Sequence, residues 1–82
     1  MSESDETALL DALSSDIANR VLALLIEKGD MSAGQLQIQA IAVAEDCAKN
    51  LRLLEKAGAI AFVNGKWRVT DRGKEVWEKY FA

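Results

Sequence analysis

The chain has 82 residues, half of them apolar, with 13 acidic and 10 basic side chains and a net charge of −3. That length suits one small domain, with enough apolar residues for a core that needs no metal or disulfide staples. A single cysteine excludes an internal disulfide, the absence of histidine excludes imidazole catalysis and histidine metal ligation, and no apolar run approaches the roughly 18 residues a membrane helix needs.

Residues 1–6 are polar and acidic. They lack the basic start of a secretion signal and are expected to form a flexible N-terminus, with the domain covering residues 7–82. Thr7 to Leu13 carries Leu9, Leu10 and Leu13 on one helical stripe. Ser14 or Ser15 can cap the next helix, with Asp16 favourable near its positive end. That helix is expected to run to about Lys28. Ile17, Val21, Leu24 and Leu25 form its apolar face, widened by Ala18, Leu22 and Ile26, and the broad arc suits a core with a strip left over for a second subunit. Gly29 ends it as a left-handed cap.

Ser32 and Gln35 match the capping box, a hydroxyl followed three residues later by Glu or Gln. They open a short helix to about Gln39, with Leu36 and Ile38 expected inward and Gln35, Gln37 and Gln39 outward. Ala40-Ile41-Ala42 is a tight apolar connection. The next helix, from about Val43 to Ala57, is expected to bury Val43, Cys47, Leu51 and Leu54. Its outward row is expected to hold Glu45, Asp46, Lys49, Asn50, Arg52 and Lys56. Gly58 ends it.

Asn64-Gly65 is a strong hairpin signal, because both central residues of a type I′ turn need positive φ. A two-residue loop there pairs Val63 with Lys66, Phe62 with Trp67, Ala61 with Arg68 and Ile60 with Val69. Alternation then puts Ile60, Phe62, Trp67 and Val69 on the face expected to pack on the helices, and Ala61, Val63, Lys66 and Arg68 on a basic outer face. A one-residue slip would bury Lys66 and Arg68, so the register is strongly specified. Thr70 or Asp71 can cap a last helix, about Arg72 to Tyr80, with Val76, Trp77 and Tyr80 as its apolar residues.

Charge is unevenly spread along these elements. Residues 1–46 carry nine acids against two bases (−7), and residues 47–82 eight bases against four acids (+4). One acidic end and one basic surface are expected, the latter a footprint for nucleic acid.

The order of elements gives an α+β, mostly α fold. "LLDALSSDIANRVLALLIEKGDMSAGQL" resembles the opening of arsenic-repressor-like (ArsR-type) regulators. "LRLLEKAGAI" followed by "GKWRVTDRG" is similar to the recognition-helix end and wing of those and of MarR-type regulators. The resemblance implies a winged helix-turn-helix: a three-helix core, a two-stranded β-hairpin wing and a C-terminal helix. It further implies a cytoplasmic, DNA-binding transcriptional regulator acting on double-stranded DNA, usually as a homodimer, with the third helix in the major groove and the wing on the backbone. Carried over by position, Ala44, Glu45, Asp46, Lys49 and Asn50 would face bases, while Gln35, Lys56, Lys66 and Arg68 would face phosphates. Asn50 could bridge adenine N6 and N7, and Lys49 could reach guanine O6 or N7.

Two positions depart from the family. Its recognition helices usually open with Ser, Thr, Pro or Gln, where this chain has Glu45 and Asp46. The turn between the two helices usually carries glycine, where this chain has Ile41. The alternative is therefore a protein–protein interaction module with little DNA affinity, docking an adaptor partner or a sister subunit. Trp77, Tyr80 and Phe81 are candidate anchors for that role. Cys47 stands alone on the inward row, so no metal site, cofactor or thiol switch is expected. No nucleophile, phosphate loop or ligand cluster accompanies Glu45 and Asp46, so no enzyme is expected.

Overall fold

The computed structural model describes the backbone of residues 2–81 and the side chains of residues 6–81. Among these, the chain is α+β and mostly helical. In order it runs α1 (Ser2–Leu13), α2 (Asp16–Lys28), α3 (Ala33–Gln39), α4 (Ala44–Lys56), β1 (Ile60–Val63), β2 (Lys66–Val69) and α5 (Asp71–Tyr80). None of these helices is long and apolar enough to cross a membrane.

The first helix begins at Ser2 rather than Thr7. Of the expected flexible N-terminus, Met1 and the side chains of residues 2–5 lie outside the described residues. Glu6 is tied to α5: it accepts from Lys79 Nζ at 3.1 Å and from the Tyr80 hydroxyl at 3.0 Å. These two hydrogen bonds, that from Lys79 the larger influence, hold the Glu6 carboxyl below its ordinary pKa.

The capping residues anticipated from sequence start the helices. Ser15 caps α2, and Thr70 caps α5. Ser32 and Gln35 form the complete capping box of α3, with both reciprocal hydrogen bonds present. Each such cap stabilises its helix by about 1 kcal/mol. Gly29 ends α2 with φ 89° and ψ −158°, an extended positive-φ conformation rather than the left-handed helical one expected.

Leu9 of α1, Val21, Leu22 and Leu25 of α2, Leu36 of α3, Leu54 of α4 and Ile60 of β1 are the largest fully buried side chains. Each removes enough apolar surface from water to be worth about 1.5–3 kcal/mol. The inward row of α4 is Cys47, Asn50, Leu51 and Leu54, spaced i, i+3, i+4 and i+7. Val43 is not part of it; it is the N-cap and is exposed. Ile38 is exposed too, because Leu36 and Ala40 take the inward positions of α3, and a residue two places from Leu36 is turned about 200° around the helix.

The hairpin has the expected register, Ile60 opposite Val69 through Val63 opposite Lys66, closed by Asn64 at φ 52° and Gly65 at φ 80°. Its apolar face is only partly covered. Ile60 is buried and Trp67 and Val69 half-buried, but Phe62 is 54% exposed. Phe62 lies near the turn, beyond the helices, and leans on Trp67 with ring centroids 4.9 Å apart.

The chain end of α4 and the start of α5 meet closely. The Thr70 hydroxyl donates to the Gly58 carbonyl at 2.6 Å and accepts from the Gly73 N–H at 3.1 Å, while the Thr70 N–H donates to the Ala59 carbonyl at 2.9 Å. A Cβ at Gly73 would overlap the Ala59 carbonyl group, so the Thr70-Asp71-Arg72-Gly73 stretch supplies both the cap and the one residue small enough for this close approach.

Candidate nucleic-acid interface

Burying Cys47, Asn50, Leu51 and Leu54 fixes which side of α4 faces outward. Glu45, Lys49, Arg52 and Lys56 follow at spacings of 4, 3 and 4, a single exposed stripe opposite the buried row. Lys49, Arg52 and Lys56 have no ion-pair partner among the described residues. The three cations spread over about 10 Å of helix. Glu45 sits at the positive end of α4, with Asp46 beside it, where the helix dipole favours carboxylates. Glu45, Asp46, Ala48, Lys49 and Arg52 line a shallow depression on this face.

Arg52 therefore joins the candidate interface, although sequence reasoning had placed it only in the outward row. Its signal was the i, i+3, i+7 spacing of Lys49, Arg52 and Lys56. Asn50 leaves the interface. It is only 7% exposed, its side-chain oxygen accepts from the Ser15 hydroxyl at 2.7 Å, and its amide donates to the Asp46 carbonyl at 2.8 Å. Both functional ends of the side chain are engaged inside the protein, so Asn50 joins the cap of α2 to α4 and offers no edge to a base.

Gln35 is exposed on the first turn of α3, with its Oε1 held by the Ser32 N–H at 2.9 Å. Its amide nitrogen carries the two N–H groups that could meet a phosphate. Lys66 is exposed beside the turn of the hairpin and, among the described residues, has no ion-pair partner. Arg68 is on the outer face as expected, but its guanidinium is committed: NH2 reaches the Asp30 carboxylate at 2.8 Å and Nε reaches the same oxygen at 3.3 Å. Both side chains are about half exposed, which limits the pair to about 0.2–1 kcal/mol. A phosphate at Arg68 would have to compete with Asp30.

The Asp30 ion pair belongs to a feature sequence reasoning missed. Met31 pairs with Trp67 in a bridge beside the hairpin, its N–H donating to the Trp67 carbonyl at 3.0 Å and its carbonyl accepting from the Trp67 N–H at 2.7 Å. Met31 is buried. The only signal was one apolar residue between Gly29 and the capping Ser32. The bridge covers one edge of the hairpin and pins the hairpin to the start of α3.

Cys47 is buried against α4's neighbours, and burial pushes its thiol pKa up. It packs as a small hydrophobe on the far side of α4 from the basic stripe. The second apolar feature on this helix is a groove of about 390 Å³ between α1 and α4, lined by Ala8, Asp11, Ala12, Leu53, Lys56 and Ala57. Neither the family models scanned nor the curated proteins searched contain a match to this chain.

Proposed function

We propose that this chain is a winged helix-turn-helix domain, resembling ArsR- and MarR-type regulators, that binds double-stranded DNA in transcriptional control, as a homodimer on a two-fold site. The observation that carries the reading is the open stripe Lys49, Arg52 and Lys56 on α4, without ion-pair partners among the described residues. Unpaired cations at helical spacing are suited to phosphate contacts, whose binding releases condensed counterions. Lys66 adds a contact from the hairpin wing and Gln35 one from α3. In this reading α4 from Lys49 onward anchors the helix to the backbone. Its first turn sits over base edges, because there the Glu45 and Asp46 carboxylates avoid phosphate and can accept from cytosine N4.

The test is anisotropy of a labelled random duplex titrated with the protein at low salt, with the protein's mass measured by light scattering. Duplex binding by a dimer supports the regulator. A monomer without affinity for duplex rejects it in favour of the second reading, a protein-interaction module. Glu45 and Asp46 at the reading end and the exposed aromatics Tyr80 and Phe81 favour that module.

A further inference from the structure

Two helices of this chain end in the same hydrogen-bonded turn, with different residues at its critical position. At the end of α4 the Gly58 N–H donates to the Glu55 carbonyl at 3.0 Å and the Ala59 N–H to the Leu54 carbonyl at 2.9 Å, with Gly58 at φ 84°. At the end of α3 the Ile41 N–H donates to the Ile38 carbonyl and the Ala42 N–H to the Gln37 carbonyl, both at 3.2 Å, with Ile41 at φ 54°. This pair of bonds places the residue after the cap in the left-handed region, where glycine is the usual occupant. An isoleucine there is a steric outlier, because its β-branch crowds the backbone.

Burial does not offset that strain. Ile41 is 82% exposed, and its neighbours Ile38 and Val43 are 76% and 63% exposed. Three aliphatic side chains within six residues are thus held in water on a turn that glycine would make more easily. Strain combined with apolar exposure marks a contact surface rather than a folding device.

The surroundings of the knob select its partner. From Gly29 to Ala48 the chain has Asp30, Glu45 and Asp46 and no Lys or Arg, and Lys49 and Arg52 follow further along α4, away from the turn, in the same depression as Glu45 and Asp46. Asp30 is paired with Arg68, while Glu45 and Asp46 are exposed beside Val43. A phosphate row or an anionic lipid surface would meet like charge. A second copy packed knob to knob about a two-fold axis would bring the same acids together. We propose that the α3–α4 turn is a docking knob for a cationic amphipathic helix of another protein. The aliphatic groups fit between the apolar side chains of that helix, and its flanking Lys or Arg residues face Glu45 and Asp46. Glu45 and Asp46 also stand at the end of α4 that the DNA reading places over bases, so a bound helix and duplex DNA would exclude one another.

The test uses three synthetic 21-residue peptides with the full-length protein: a Leu/Lys amphipathic helix, its scrambled sequence, and a Leu/Glu helix of the same pattern. The Leu/Lys helix should bind at least about tenfold tighter than the other two, and Ile38→Ser, Ile41→Gly and Val43→Ser should each weaken it by about tenfold, as truncation of an interface anchor does. Glu45→Gln with Asp46→Asn should weaken it severalfold and flatten its salt dependence. Ile41→Gly places the preferred residue in the turn, so loss of binding in that variant is not loss of fold, and circular dichroism verifies this. Equal binding to all variants, or no preference among the peptides, overturns the proposal. So does a concentration-dependent dimer, or binding to phosphatidylcholine–phosphatidylglycerol vesicles, that Ile41→Gly abolishes, since either names a different occupant.

Discussion

Asn50→Ala separates a structural asparagine from a base-reading one. The wild-type side chain accepts from the Ser15 hydroxyl at 2.7 Å and donates to the Asp46 carbonyl at 2.8 Å, in a position only 7% exposed. Two hydrogen bonds at about 1 kcal/mol each, with a small void left behind, give a destabilisation of about 2 kcal/mol. For a domain of this size that lowers Tm by roughly 8–16 °C. Ser15→Ala removes one partner, and the double variant should be less destabilised than the sum of the singles by about 0.5–1 kcal/mol, because the two side chains share one bond. Thermal and urea unfolding followed by circular dichroism give these values, and duplex affinity measured well below Tm should not change. The reasoning fails if Asn50→Ala leaves Tm within about 2 °C of wild type, or if it abolishes duplex binding by protein that is still fully folded.

Three other sites probe the fold. Ile41→Gly relieves about 1–2 kcal/mol of left-handed strain but adds about 0.5–1 kcal/mol of unfolded-chain entropy, so the variant should be as stable as wild type or up to about 1.5 kcal/mol more so; a clear loss in urea unfolding would mean the turn carries no strain. Gly73→Ala drives a methyl into the Ala59 carbonyl and should lower Tm by at least about 10 °C, whereas Gly34→Ala, with open space at its Cβ, should leave Tm within a few degrees; similar Tm values for the two would discount the close approach of α5 to the end of α4. Cys47 is buried with its pKa raised, so Ellman's reagent at neutral pH should react with it only through unfolding, at a rate that rises steeply with urea; immediate reaction in native buffer would place the thiol at the surface.

Local chemistry was the legible part of this sequence. Asn64-Gly65 set the hairpin register, and Ser15, Ser32 with Gln35, Thr70 and Gly58 set helix ends, because each acts on backbone groups within a few residues of itself. What escaped depended on distant partners. Asn50 is satisfied by Ser15, 35 residues away, and Arg68 by Asp30, 38 residues away. Residue type alone says solvent for both. Cys47, Leu51 and Leu54 are buried as their spacing predicts; Asn50 completes that row although it is polar, and Val43 falls outside it because it precedes the helix as the N-cap. Ile38, Val43 and Phe62 were expected inside because they are apolar; each is exposed, Ile38 because it is turned away from Leu36 on α3, Val43 because it is the N-cap of α4, and Phe62 because it lies near the hairpin turn. Of the candidate interface, Lys49, Lys56, Lys66 and Gln35 are exposed as expected, Arg68 is exposed but paired, and Arg52 became visible once the buried face of α4 was fixed.

The salt dependence of duplex binding tests the central claim most directly. If Lys49, Arg52 and Lys56 each meet a phosphate, replacing all three with alanine should reduce the slope of log affinity against log salt by about 2.7 per subunit, roughly 0.9 for each phosphate no longer neutralised. The same slope in the triple variant and the wild type, or no duplex binding by the wild type at low salt, would contradict the assignment of this face of α4 to DNA.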